Sequence, residues 1–282
     1  MLNTAQRADL ADEIRADIES NRIQLPTLPE VALKVRDEVE RENTDALTIA
    51  KMVGNDAALS ARLLQVANSP LYRGRVEIDS IQQAVTRLGL KMVRSLVVSL
   101  AMKQIFQATS DALDTQFRQI WDDSLQVAAI SRVLAGGVAE LENEQAMLGG
   151  LIHNIGALPI LTKIDERWGY DADPDLIGAL IDELAPEIGG RILKHWNFAE
   201  SLANIPTACY DLDYDPGPFP TYADIVLVAR LQNLAAKGGA EAQAGWADIP
   251  AFGKIGVESE VVIINMEGPA EEIAEVRSML EG

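Results

Sequence analysis

Apolar residues recur every three or four positions along most of the chain, the spacing of one face of a helix. Leu10, Ile14 and Ile18 form the first such stripe, and Val31, Val35 and Val39 the second. Thr27 and Glu30 are spaced as a capping box for that second helix, with Pro29 tolerated in its first turn. Asp45–Val53 predicts a short helix closed by Gly54, and Asp56 is placed to cap the next, Ala57–Asn68, which Pro70 stops. Beyond a polar, basic loop over Leu71–Asp79, Ser80 and Gln83 make another capping box, and Gly89 ends the helix they open. Met92–Phe106 is apolar on two adjacent rows and is expected to be buried over a wide arc.

Polar residues over Gln107–Thr115 mark a joint. The helical period resumes in Gln116–Ala135, Glu140–Asn154, Pro174–Leu184, Pro186–Trp196, Glu200–Tyr210 and Thr221–Lys237. A Pro- and Asp-rich loop fills Asp211–Pro220, and a Gly/Ala-rich connector Gly238–Gly253. Two acidic helices, Glu258–Met266 and Pro269–Leu280, follow. Val261–Ile264 has strand propensity, but so short a strand has nothing to pair with, so helix is expected there too. The pattern is that of an all-α fold.

Composition sets the outer limits. The 282 residues are 48% hydrophobic and 24% charged, enough for a sizeable core. The single cysteine, Cys209, excludes an internal disulfide and fits a reducing compartment. Met1–Ser20 has no apolar targeting stretch, and the apolar run Leu96–Met102 is far shorter than the ~20 residues of a bilayer span. A cytoplasmic protein with no membrane partner is therefore expected. A net charge of −19 argues against nucleic acid, whose phosphates need a basic face. The charge is uneven, however. Residues 57–110 hold seven basic side chains against Glu77 and Asp79, a local balance of +5 that leaves −24 for the rest. That window is either a solvated face or a docking surface for an acidic partner.

Candidates for chemistry are few. Gly149–Gly156 carries His153, one of only two histidines, followed by Asn154. A metal phosphohydrolase needs several His, Asp or Glu ligands converging on one point. An amide is a weaker ligand than a carboxylate, so a hydrogen-bonded core histidine is the simpler reading of His153. The other histidine, His195, stands beside Trp196 at a helix end. Asp211–Asp215 imitates the start of a calcium loop, but Pro216 and Tyr222 stand where Gly and Glu are required. Cys209 lies in an apolar segment, as a buried small residue would. The Gly-Gly pairs at 149–150 and 189–190 fall inside helical patterns and point to close helix packing.

Four runs in order, Leu25–Pro29, Asn55–Leu64, Ala67–Pro70 and Ile78–Gly89, resemble the HDOD domain of bacterial signalling proteins. HDOD domains are related to the HD phosphohydrolases, among them the HD-GYP cyclic-di-GMP phosphodiesterases. The resemblance extends over about residues 20–235. It implies an HD-domain-like helical bundle: an N-terminal helical part (1–110) packed on an HD-like core (111–237), then the connector and acidic helices (238–282). Carried over by position, the ligand histidines of catalytic relatives fall at Asp123, Ala185, Cys209 and Tyr210, and the His-Asp doublet at His153–Asn154. The Gly-Tyr-Pro signature is absent.

By this resemblance Asp123, His153 and Asn154 are remnants of an HD motif, and no catalytic, cofactor or metal residue is assigned. It implies a non-catalytic regulatory or scaffold protein in signal transduction. Its partners would be signalling proteins of two-component or cyclic-di-GMP pathways, on separate chains, with Arg73 and Arg75 as candidate docking residues. Two alternatives stay open. One is a metal-dependent phosphohydrolase acting on nucleotides or cyclic dinucleotides through Asp123, His153 and Asn154. The other is a small-ligand sensor that kept the pocket and lost the metal.

Overall fold

The computed structural model describes residues 4–20, 22, 25–41, 43–106, 114–168, 174–238, 243 and 245–281, and all regular structure among them is helical. The N-terminal elements are α1 (Thr4–Glu19), α2 (Glu30–Val39), α3 (Ala46–Gly54), α4 (Ala57–Ala67), α5 (Ile81–Leu88) and α6 (Leu90–Ile105). Next come α7 (Asp114–Ala135), α8 (Asn143–Ile152), α9 (Ala157–Trp168), α10 (Pro174–His195), α11 (Glu200–Ala203), α12 (Ile205–Ala208) and α13 (Tyr222–Gly238). Two further helices, α14 (Pro250–Ile255) and α15 (Pro269–Glu281), complete the order. The joint expected over Gln107–Thr115 lies mostly outside the described residues, as does part of the Gly238–Gly253 connector.

Local signals set most helix starts. Asp45 accepts from the Thr48 amide at 2.7 Å, Asp56 from those of Ala58 and Leu59 at 2.9 and 3.0 Å, and Ser80 from that of Gln83 at 3.2 Å. Gly89, at φ +79°, turns the chain from α5 into α6. The Thr27–Glu30 capping box does not form. Pro29 is the N-cap of α2 without any side-chain bond, and Thr27 stays exposed ahead of it.

Packing decides several elements differently from the pattern. Pro186 does not divide two helices but lies inside α10. A helix survives the loss of one N–H bond when its flanks are packed, and α10 is held between α9 and α12. Glu200–Tyr210 splits into α11 and α12, with Pro206 in the first turn of the second. The spacing of apolar residues does not single out α9 as a helix. Its Leu158, Ile160, Leu161 and Ile164 are all buried, and burial on so wide an arc blurs the period. Glu258–Met266 is not an α-helix. Gln232 on α13 donates to the Val261 carbonyl at 2.8 Å and accepts from the Ile263 amide at 2.9 Å, taking the backbone groups a helix would have used. Only a 3-10 turn, Ile263–Asn265, forms there.

The centre of the core is α7, α8 and α13 packed on one another, with α6 and α2 stacked outward from α8. Close approach is glycine's work. A Cβ at Gly150 would lie 2.6 Å from Ala128 Cα on α7, and one at Gly156 would lie 2.0 Å from the Ala185 carbonyl oxygen on α10. Asn143–Glu166 is apolar and long enough by composition to cross a bilayer, yet 83% of that window is buried in this core. α15 lies along α7, where Glu272 pairs with Arg132 at 3.0 Å. Its last carbonyls take cations from the N-terminal part: Arg62 donates to Met279 O, and Lys103 to Glu281 O at 2.6 Å.

Candidate functional site

His153 caps the C-terminus of α8, where the chain turns at Gly156 into α9. It is buried, and its Nδ1 lies 2.6 Å from the Gly150 carbonyl oxygen. A carbonyl only accepts, so Nδ1 carries the proton and Nε2 keeps its lone pair. Burial depresses the imidazole pKa from 6.5 to about 4. The Gly150 carbonyl opposes that shift, the Arg230 charge adds to it, and Asp123 opposes it weakly. His153 is thus the hydrogen-bonded core histidine expected from its residue type.

The neighbouring groups come from α7, α10, α13 and the turn after α12. Asn154 Oδ1 accepts from the Tyr210 hydroxyl at 3.3 Å. Above the Tyr210 ring, at 3.8 Å from its centroid, sits the Arg230 guanidinium of α13, which also donates to the Cys209 carbonyl at 3.4 Å. Asp182 on α10 is 4.0 Å from Arg230 and largely exposed. Asp123 on α7 is ion-paired with Lys237, two turns beyond Arg230 on α13. Burial pushes the Cys209 thiol up to about 12 and raises Tyr210 as well, so neither ionises near neutrality. Ala185 is buried against Gly156.

Of the positions carried over from catalytic relatives, Asn154 and Tyr210 are in contact, His153 and Cys209 are their chain neighbours, Asp123 is within electrostatic reach of His153, and Ala185 packs on Gly156. Sequence reasoning missed Arg230. Its signal was present, a lone cation in the apolar run Ile225–Leu231, but a period read for burial alone passes over it. Among the described residues, no group of three or more His, Cys, Asp or Glu side chains gathers to hold a metal ion.

Five of the seven basic side chains of the 57–110 window bind groups of the chain itself. Arg62 and Lys103 cap α15, and Lys91 pairs with Glu142. Arg94 is buried beside Glu40. Arg87 braces the 71–79 loop through the carbonyls of Ala67 and Val76, at 3.2 and 2.9 Å. Asn68 grips Ile78 through both backbone groups, at 2.8 and 2.9 Å. Arg73 and Arg75 remain exposed on that braced loop, beside Val76, which is 73% exposed.

Helices alone, with a His-centred corner between α8 and α13, define an HD-like all-α protein. The chain belongs to the HDOD domain family, whose signature matches residues 25–211. Its fold matches a crystal structure from Shewanella amazonensis SB2B, named provisionally as a metal-dependent phosphohydrolase, with TM-score 0.84 and 28% identity over 98% of this chain and 100% of that one. An HDOD domain protein of unknown function from Geobacter sulfurreducens shares the fold at TM-score 0.67 and 20% identity, covering 99% and 98%. In sequence, the chain is 24% identical over 233 residues to an uncharacterized protein of Treponema pallidum (strain Nichols), covering 78% of this chain and 44% of that one. It is 29% identical over 129 residues to the cyclic di-GMP phosphodiesterase CdgJ of Vibrio cholerae, covering 45% and 28%. The chain thus spans less than half the length of either curated relative. The family is related to phosphohydrolases and to signal-transduction proteins.

Proposed function

We propose that this chain is a non-catalytic signal-transduction module, regulatory or scaffolding, whose HD-type site does not take a metal. The observation that carries this reading is Arg230, a fixed cation stacked on Tyr210 beside His153. A divalent ion there would face that charge with little to offset it. The other neighbours are an amide, a buried thiol and a phenol, and Asp123 is engaged by Lys237. Both nearby carboxylates face cations, Asp123 with Lys237 and Asp182 with Arg230, and carboxylate is what a hard metal such as manganese requires. One feature favours the metal-dependent phosphohydrolase as second reading: His153 has Nδ1 tied to a carbonyl and Nε2 free, as ligating histidines do.

Elemental analysis of protein purified without added metal, with an assay on cyclic di-GMP and nucleotides, separates the two. The expected result is substoichiometric metal and no turnover. Stoichiometric iron or manganese that disappears in His153→Ala would falsify the proposal. The partners are signalling proteins on other chains, and the braced loop carrying Arg73, Arg75 and exposed Val76 is their docking surface. Reversing both charges (R73E with R75E) should abolish pull-down of such partners and leave Tm unchanged, since neither side chain is packed. Unchanged recovery counts against that surface.

A further inference from the structure

Away from His153, α2 holds an arginine with too few acceptors. Arg36 is 3% exposed. Its Nε donates to Asp37 at 2.8 Å, its Nη2 contacts the same carboxylate, and its guanidinium lies 5.7 Å from the Phe198 ring. Nη1 is buried and has no partner among the described residues. Arg94, on the α6 helix packed against α2, has Glu40 at 3.4 Å and leaves Nε and Nη2 without acceptors. Each guanidinium thus has one partly exposed acid as its ion-pair partner, and burial together with Arg36 weighs against the Arg94 charge. Buried cations left this short of acceptors are destabilising unless something else supplies oxygen.

A cavity of about 270 Å³ opens at Arg36. Leu28, Arg36 and Trp196 line its buried side, and Thr27, His195 and Asn197 its exposed rim. The fold holds it open from both sides. Trp196 Nε1 donates to the Pro26 carbonyl at 3.0 Å, fixing the segment before α2 over the end of α10. Asn197, at φ +56°, ends α10, and the Phe198 amide bonds back to Leu193 O at 3.0 Å, which sets Phe198 beside Arg36. A buried guanidinium below, a hydroxyl, an imidazole and an amide at the rim, and an apolar wall between them are the components that recognise a charged head on a small, partly apolar body.

We propose that this cavity is a binding site for a small molecule bearing an oxyanion, a carboxylate or a phosphate, seated on Arg36. It explains why Thr27 stands exposed outside the helix it was expected to cap, and it is independent of the HD-type site. Calorimetric titration of the full chain with benzoate, phenyl phosphate and neutral benzamide tests it. At least one anion should bind at a single saturable site, and benzamide should not; which anion binds identifies the head group. Arg36→Met should weaken that binding about tenfold or more, as loss of a charge-assisted contact does. Retained affinity in Arg36→Met overturns the site. Should that variant not fold, retained affinity in the double variant Thr27→Ala/His195→Ala, both exposed positions, does the same. So does the absence of saturable anion binding by the unsubstituted chain up to ~10 mM.

Discussion

A buried neutral imidazole makes stability depend on acid. His153 holds a pKa of about 4 in the fold against 6.5 when unfolded, so between those values the unfolded chain binds the extra proton. Stability contributed by neutral His153 is therefore complete above pH 6.5 and is lost as pH falls toward 4, by ~3 kcal/mol at most. Urea unfolding of native protein and of His153→Gln across that window should show a steeper pH slope in the native chain. Equal slopes would mean that His153 protonates without cost. Burial is the largest cause, and Arg230, a side chain unremarked in the sequence, adds to the same depression. Residue type alone indicated that His153 is buried and hydrogen-bonded, but not what faces it.

At the scale of helices, the capping signals of α4 and α5 are local and legible within a single turn, whereas α3 runs through Gly54, the expected cap, to end at Asn55. Asp56→Ala should cost ~1 kcal/mol in denaturant unfolding, because two amides of α4 lose their acceptor. Thr221 and Asp224 form a further reciprocal cap at the start of α13, with bonds of 2.7, 2.8 and 3.2 Å. Glycines separate local from tertiary demands. Gly54→Ala meets nothing within 4 Å and should stabilise α3 by ~0.5–1 kcal/mol. Gly150→Ala drives a methyl group into the Ala128 backbone and should cost more than ~3 kcal/mol or prevent folding. Thermal unfolding of the two variants should move in opposite directions, and a folded Gly150→Ala of native Tm would show that α7 and α8 can separate.

Over the whole molecule, part of the basic window, which the sequence leaves open between a solvated face and a docking surface, joins elements within the chain. The acidic α15 lies along α7 and takes Arg62 and Lys103 at its C-terminal end. Ile273, Val276, Met279 and Leu280 bury its apolar face. Burying each such side chain stabilises by ~1.5–3 kcal/mol. Removing residues 269–282 should therefore lower Tm by many degrees and expose apolar surface to a hydrophobic dye. A truncated chain of native Tm would show that α15 is only loosely attached.

The helical nature of the chain, the caps of α4 and α5, the burial of His153 and the kinship with HDOD domains were determined by the sequence alone. Each depends on residue types within a few turns of one another, or on motifs in a recognisable order. Only the tertiary structure decided that Pro186 continues a helix and that Gln232 takes the backbone of Val261 and Ile263. The same holds for the placing of Arg230 by His153 and of Arg36 under an open cavity. Those outcomes join elements far apart in the chain. They turn on desolvation and on which groups lack a partner, and a periodicity records neither.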